Sequence, residues 1–210
     1  MQAYLESSKI IDWQHPTVIA LAQKLASEQQ ISQTLSPPLG NLTRIAKICF
    51  EWVRDEIYHS YDYQINPLTC RASDVLQYKT GYCYAKSHLL AALLRANGIP
   101  AGFCYQRLSL NDNGAPYCLH GLNAVYLPEV GWYRIDARGN RAGVDAQFTP
   151  PQEKLAFTIQ FPEETDCQTV FSEPLPAVIE ALQSHHTWDQ MLLNMPDISL
   201  ESAKFLDETH

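Results

Sequence analysis

Three polar residues stand where nucleophilic chemistry could be built. Cys83 follows Gly81-Tyr82 and opens the helical stretch CYAKSHLLAALLRANG. His120 lies inside CLHGLNAVYL, which reads as a strand, and Asp136 follows the strand-favouring Trp132, Tyr133 and Ile135. A thiol, an imidazole and a carboxylate make a nucleophile, a general base and acid, and an orienting group. Such a set attacks a carbonyl carbon and forms an acyl-thioester. Free backbone N–H groups at a helix start stabilise a thiolate, and a neighbouring imidazolium would add to that. One such N–H at or near Cys83 would serve the oxyanion. Gly81 permits a sharp bend, or a close substrate backbone, just before the nucleophile.

The surrounding elements must bring these three together. Residues 16–30 read as a helix with Pro16 in its first turn, and 41–58 as a second, amphipathic one. The segment SPPLG at 36–40 breaks them apart. Ser73 is a candidate cap for a short helix at 72–80. The stretch 83–98 is apolar on every side and should be central, with a left-handed stop at Asn97-Gly98 and Pro100 preventing continuation. Strands are expected at 103–110, 118–127 and 131–137, and their short links favour antiparallel neighbours. If the last link turns on Pro128, His120 and Asp136 become directly opposed cross-strand partners. One more helix is expected at 174–186. Helices first and an antiparallel sheet after them make an α+β domain, with a catalytic core over 1–150 and an acidic extension over 151–210 packed on the same domain.

Charge is unevenly spread. Residues 145–210 hold 12 Asp and Glu against 2 Lys, whereas residues 1–144 are near neutral at +2. No concentrated basic surface is present, which argues against nucleic-acid binding. No apolar run approaches the ~20 residues of a membrane helix, so no membrane partner is expected. The start, MQAYLESSKIIDWQ, lacks a basic region followed by an apolar core, so no signal peptide is expected. The six cysteines form no CxxC pair and no dense framework, and reduced thiols in a cytoplasmic setting are the expectation.

The segment GYCYAKSHLLAALLRANGIPAGF, 81–103, resembles the nucleophile region of the transglutaminase-like superfamily of papain-fold enzymes. The resemblance carries Gly81 and Cys83 at the helix start and Arg95, Gly98, Ile99, Pro100 and Ala101 after it. His120 matches the family histidine, Gly131-Trp132 the pair before the acid, and Asp136 in GWYRIDARG the aspartate. Tyr61-Asp62 looks like the tyrosine region ahead of the cysteine helix. The likeness spans about residues 45–139. It implies a papain-like core, with N-terminal helices and a central nucleophile helix packed on an antiparallel sheet. It also implies a Cys83-His120-Asp136 site that works without a cofactor. His120 is followed by Gly121-Leu122 where many members have an aromatic. No tryptophan stands near Cys83 in the sequence, which favours hydrolysis over crosslinking.

Gln77, six residues before Cys83, is a candidate second oxyanion donor if residues 78–82 fold back. Tyr82, Tyr84 and Trp132 are candidate groove residues, with Tyr105 as readily groove as core. Cys49 and His88 read as structural, and His185 and His186 as surface. Cys118 and His120 are too sparse a pair to hold zinc, so no metal is expected. Asp136 could instead tie down a turn through Arg138. The expected activity is hydrolysis of a peptide, protein or small amide substrate. Amine transfer to the same thioester and a non-catalytic peptide-binding domain are the alternatives. The oligomeric state stays open. The acidic extension is expected on the side away from the groove.

Overall fold

The computed structural model describes residues 1–31, 40–111 and 113–199. Most of the SPPLG breaker, Asp112 of the expected turn and residues 200–210 of the extension lie outside them.

Helices α1 (Pro16–Ile31) and α2 (Asn41–Glu56) lie at the expected positions. A two-residue strand, β1 (Tyr58–His59), and a single helical turn, α3 (Ser60–Tyr63), follow. Next come α4 (Ala72–Tyr78), β2 (Thr80–Gly81) and α5 (Cys83–Ala96). The parallel pairing of β1 with β2 sets His59 beside Gly81. Two-residue strands are too short to show any period, so the sequence pattern did not announce them. Ser73 is not the cap of α4: that position is Arg71. Ser73 gives its N–H and hydroxyl to Asp12, which thereby tethers the N-terminal segment to α4.

Every residue of α5 from Cys83 to Arg95 is buried, as a helix without a polar face requires. Its end is a Schellman motif: Gly98 has φ +69°, its N–H bonds Arg95 C=O, and Ile99 N–H bonds Leu94 C=O. Arg95 uses its buried guanidinium to hold Ala101 C=O, Glu6 C=O and Ser172 C=O. One side chain therefore joins the nucleophile helix to the sheet and to both terminal segments. Lys86, also fully buried, donates to Arg54 C=O and Ile57 C=O, the orphan carbonyls at the end of α2.

The sheet contains β3 (Ala101–Ser109), β4 (Tyr117–Leu127), β5 (Gly131–Ile135) and β6 (Thr165–Asp166), in the order β5-β4-β3-β6, all antiparallel. Residues on β4 are buried almost throughout. On one side Leu119 and Val125 join the main core with α5. On the other, Leu122 and Ala124 pack with Cys104, Trp132, Leu155 and Val170. The chain ends its described part with α6 (Pro176–Ser184) and α7 (Trp188–Leu193). Residues 151–199 thus add an edge strand and a second cover to the sheet that carries His120.

The approach of α5 to β4 is very close at Gly121. A Cβ there would stand 2.8 Å from Tyr84 Cδ1 and 3.4 Å from Tyr84 Cα. Tyr84 gives its hydroxyl proton to Leu119 C=O, and Ser87 bonds both Cys83 C=O and Gly121 C=O. The glycine after His120 is therefore the space into which the helix seats. Gly121→Ala should cost about 1–3 kcal/mol through overpacking, read as a fall in Tm of several degrees by calorimetry.

Candidate active site

Cys83 is the first residue of α5, behind an extended Tyr82 that makes no side-chain cap. The N–H groups of the first helical turn therefore lack intrahelical partners and gather at the thiol. Packing of α5 on β4 then brings His120 to the same place. Cys83 is 4% exposed, His120 5% and Asp136 1%. Nε2 of His120 donates to Asp136 Oδ2 over 2.7 Å. That leaves Nδ1 as the nitrogen for the thiol, and Cys83 is both a charge and a hydrogen-bond neighbour of the ring. Asp136 also accepts the N–H of Arg138 on Oδ1 and of Ala156 on Oδ2, each at 3.1 Å.

Direct opposition of His120 and Asp136 is not the register observed. The turn runs over 128–130, with Val130 N–H bonding Leu127 C=O, and the pairs are Leu127↔Gly131 and Asn123↔Ile135. The turn centre moves from Pro128 to Glu129, so the two residues meet diagonally. Opposed partners shift by two residues, which preserves the face, and the hydrogen bond forms across the diagonal.

Burial opposes charge on both partners of this pair. For His120, Asp136 and Cys83 outweigh it and the imidazole is raised, to about 10. For Asp136, His120 and the two backbone N–H groups outweigh it and the carboxyl is lowered. The pair is thus an imidazolium and a carboxylate at neutral pH.

The acidic extension borders this site. Ala156 supplies one of the three donors to Asp136, and the Phe157 ring stands edge-on to His120 with centroids 5.0 Å apart. Gln106, opposite His120 in the β3–β4 register, donates to Phe157 C=O. Farther along, Tyr82 gives its hydroxyl proton to Trp188 C=O, and Leu119 N–H bonds Pro196 C=O. The expectation of a far-side extension is overturned, and a tryptophan does come beside the residue before Cys83. No sequence signal marks Ala156, because its contribution is a backbone N–H. Four acids of the extension meet bases of the body. Arg134 binds Glu153 and Asp166, Arg107 binds Asp197, and Arg95 reaches Glu173. Part of the charge imbalance along the chain is an internal complement.

Several candidates lie elsewhere. Gln77 is exposed on α4 and does not reach back. Residues 79–81 leave that helix through left-handed Lys79 and pair with β1 instead of folding over Cys83. Tyr84 is buried between α5 and β4, not in a groove. Tyr105 is buried too, and its hydroxyl accepts the Leu175 N–H. Trp132 packs against Tyr4 and Tyr126 on the sheet side of the smaller core. Tyr82 does flank the thiol but is buried under α7 and against His59. His88 is structural: its Nδ1 pairs with Cys70 C=O at 2.7 Å, and burial lowers it to about 4. Arg138 ties Asp136 only through its backbone N–H, and its guanidinium grips Asp62 at 2.6 and 2.9 Å. His59 escaped the sequence reading, and Asp62 entered it only within the Tyr61-Asp62 resemblance, since neither matches a spacing tied to the triad.

The pair gives stability a defined pH window. Asp136 contributes above pH 3.8 and loses its contribution as acid protonates it below that value. His120 contributes fully below pH 6.5 and loses it as the pH rises toward about 10. Asp136→Asn should destabilise by about 3–5 kcal/mol, the cost of breaking a buried pair. The imidazole of that variant should titrate well below that of the native protein by NMR. An unchanged His120 titration would contradict the pairing.

A family model described as the transglutaminase-like superfamily matches residues 26–137, just over half of the chain. No curated protein matches it. Among solved structures, a Cytophaga hutchinsonii protein provisionally described as a cysteine protease has TM-score 0.43 and 20% identity. That match covers 64% of this chain and 40% of the other. The periplasmic domain of TgpA from Pseudomonas aeruginosa gives 0.42 and 22%, covering 64% and 45%. Red sea bream transglutaminase gives 0.41 and 14%, covering 57% and 26%. The chain spans less than half the length of each of these structures. No helix among the described residues is long and apolar enough to cross a membrane.

Proposed function

The chain belongs to the transglutaminase-like superfamily, and on that premise we propose that it hydrolyses an amide bond through an acyl-thioester on Cys83. The carrying observation is the buried His120–Asp136 hydrogen bond at 2.7 Å, with Cys83 on the other side of the ring. In this reading the Cys83 thiolate attacks the carbonyl carbon and a C–S bond forms. Negative charge passes to the carbonyl oxygen, which meets the N–H groups at the start of α5. The imidazolium gives its Nδ1 proton to the leaving nitrogen as the C–N bond breaks. Water then attacks the thioester and His120 takes its proton; the C–S bond breaks, the carboxylic acid leaves and the thiolate–imidazolium pair is restored. Asp136 holds the ring and balances its charge throughout. With water as the second nucleophile, the protons and electron pairs of the scheme balance on these three side chains.

The substrate class is a peptide, a protein or a small amide. Buried cysteines without a disulfide among the described residues fit a reducing, cytoplasmic setting.

Four other cysteines, Cys49, Cys70, Cys104 and Cys118, are each raised to about 12, chiefly by burial. Iodoacetamide at pH 6 should therefore modify Cys83 ahead of them, and Cys83→Ala should abolish that modification, both read by peptide mass spectrometry. Equal modification of all five would remove the activated nucleophile. With an active amide substrate, added primary amine should leave the free acid as the main product. A dominant amine adduct would assign transfer in place of hydrolysis. Absence of turnover in the native protein, with Cys83 modified no faster than the other cysteines, would leave a binding domain.

A further inference from the structure

A polar cavity lies beside the triad. It has a volume of about 340 Å³ and is walled by β1, α3, the end of α2, the first turn of α5 and the loop after β5. Its inner residues are His59, Lys86 and Arg138, all buried. Tyr58, Tyr63 and Arg141 stand at its exposed mouth, where the two tyrosine rings pack 4.8 Å apart. None of these groups takes part in the proposed thiol chemistry.

Two buried polar groups in the cavity have capacity to spare. His59 Nδ1 has no hydrogen-bond partner. The nearest carboxylate oxygen, Asp62 Oδ2, is 3.8 Å away, beyond hydrogen-bond reach. Lys86 carries three N–H donors and uses two on Arg54 C=O and Ile57 C=O. Beside its ammonium lies Gly139, at φ +113°, where a Cβ would stand 3.2 Å from Nζ. The glycine leaves the third donor uncovered.

The charges decide which ligand fits. Arg54 is held by both oxygens of Asp55. Arg138 is held by both oxygens of Asp62, and Arg141 comes within 3.5 Å of the same carboxylate. Lys86 is the buried cation on the wall that faces no carboxylate in an ion pair among the described residues. Burial and Arg138 push it down to about 7, and burial with Arg138 and Lys86 pushes His59 lower still. A wall on which Arg54, Lys86, Arg138 and Arg141 outnumber Asp55 and Asp62, with two donors to spare, suits a monoanion with two oxygens.

We propose that this cavity is a carboxylate-binding site, with Lys86 and His59 Nδ1 donating one hydrogen to each oxygen. The volume fits an amino-acid-sized acid, with the tyrosine mouth against its aliphatic or peptide portion. Because the site stands apart from the sulfur chemistry, it can be tested in the Cys83→Ala protein.

NMR titration of that protein with N-acetylglycine should shift resonances of His59, Tyr58 and Gly139 saturably. The N-methylamide of the same compound should bind at least tenfold more weakly. N-acetyl-alanyl-alanyl-glycine separates the two sources of such a group. Its binding assigns the site to peptide C-termini, and binding of the short acid alone assigns it to small free acids. Lys86→Met should lose at least tenfold in affinity. Since Lys86 also caps α2, His59→Leu is the second variant, because the His59 side chain makes no cap hydrogen bond, and it should weaken binding as well. Equal binding of acid and amide, tighter binding of inorganic phosphate, or undiminished affinity in folded His59→Leu would overturn the inference. Failure of these titrations leaves the thiol hydrolase reading standing. Failure of Cys83 labelling in the native protein leaves the carboxylate site standing.

Discussion

The seat of α5 against β4 at Gly121 is the contact from which the rest of the arrangement follows. A helix with no polar face must be enclosed on every side, and in the proposed reaction its first residue must nevertheless meet a substrate. The geometry meets both demands by pressing Tyr84 into the space over Gly121 and bonding Tyr84 and Ser87 to the backbone of residues 119 and 121. His120 lies between those two anchor points, so its ring is placed by the backbone of its own strand. Any shift of the helix along the strand would separate thiol from imidazole by ångströms, enough to lose hydrogen-bond contact.

Enclosure has an electrostatic consequence. A buried imidazolium and carboxylate are each costly, and the pair persists because every oxygen of Asp136 is occupied. Two of the three donors come from chain neighbours or the facing strand. The third, Ala156 N–H, comes from beyond the core. The extension is thus a structural part of the candidate site, with Phe157 closing over the ring. Three of its acids, Glu153, Asp166 and Asp197, find bases on the sheet, which helps this acidic segment pack against the rest of the chain.

Buried cations are handled by a related logic on the opposite flank. Lys86 and Arg95 sit on the same apolar helix, and each spends its hydrogens on orphan backbone carbonyls at the end of an element or segment. Arg95 is saturated in this way, whereas Lys86 is not, and the difference coincides with a cavity at Lys86. The same helix therefore carries two buried cations, one saturated and one with a donor to spare.

The central helix, its glycine stop, the three main strands and the candidate set of Cys83, His120 and Asp136 were legible in the sequence. These features depend on local patterns: an apolar run with a left-handed terminator, alternating strands, and polar residues at element ends. What tertiary structure alone decided is how distant pieces meet. The turn at 128–130 set the diagonal register of His120 and Asp136, because one residue of turn length moves every cross-strand pair. Gln77 was lost to a left-handed turn and a two-residue parallel pairing too short to leave a periodic trace. Tyr84 became core because a glycine 37 positions later made room for it, a relation no local window contains. The extension came to the site through a backbone N–H, which any residue but proline could supply, so its sequence carried no mark of the role.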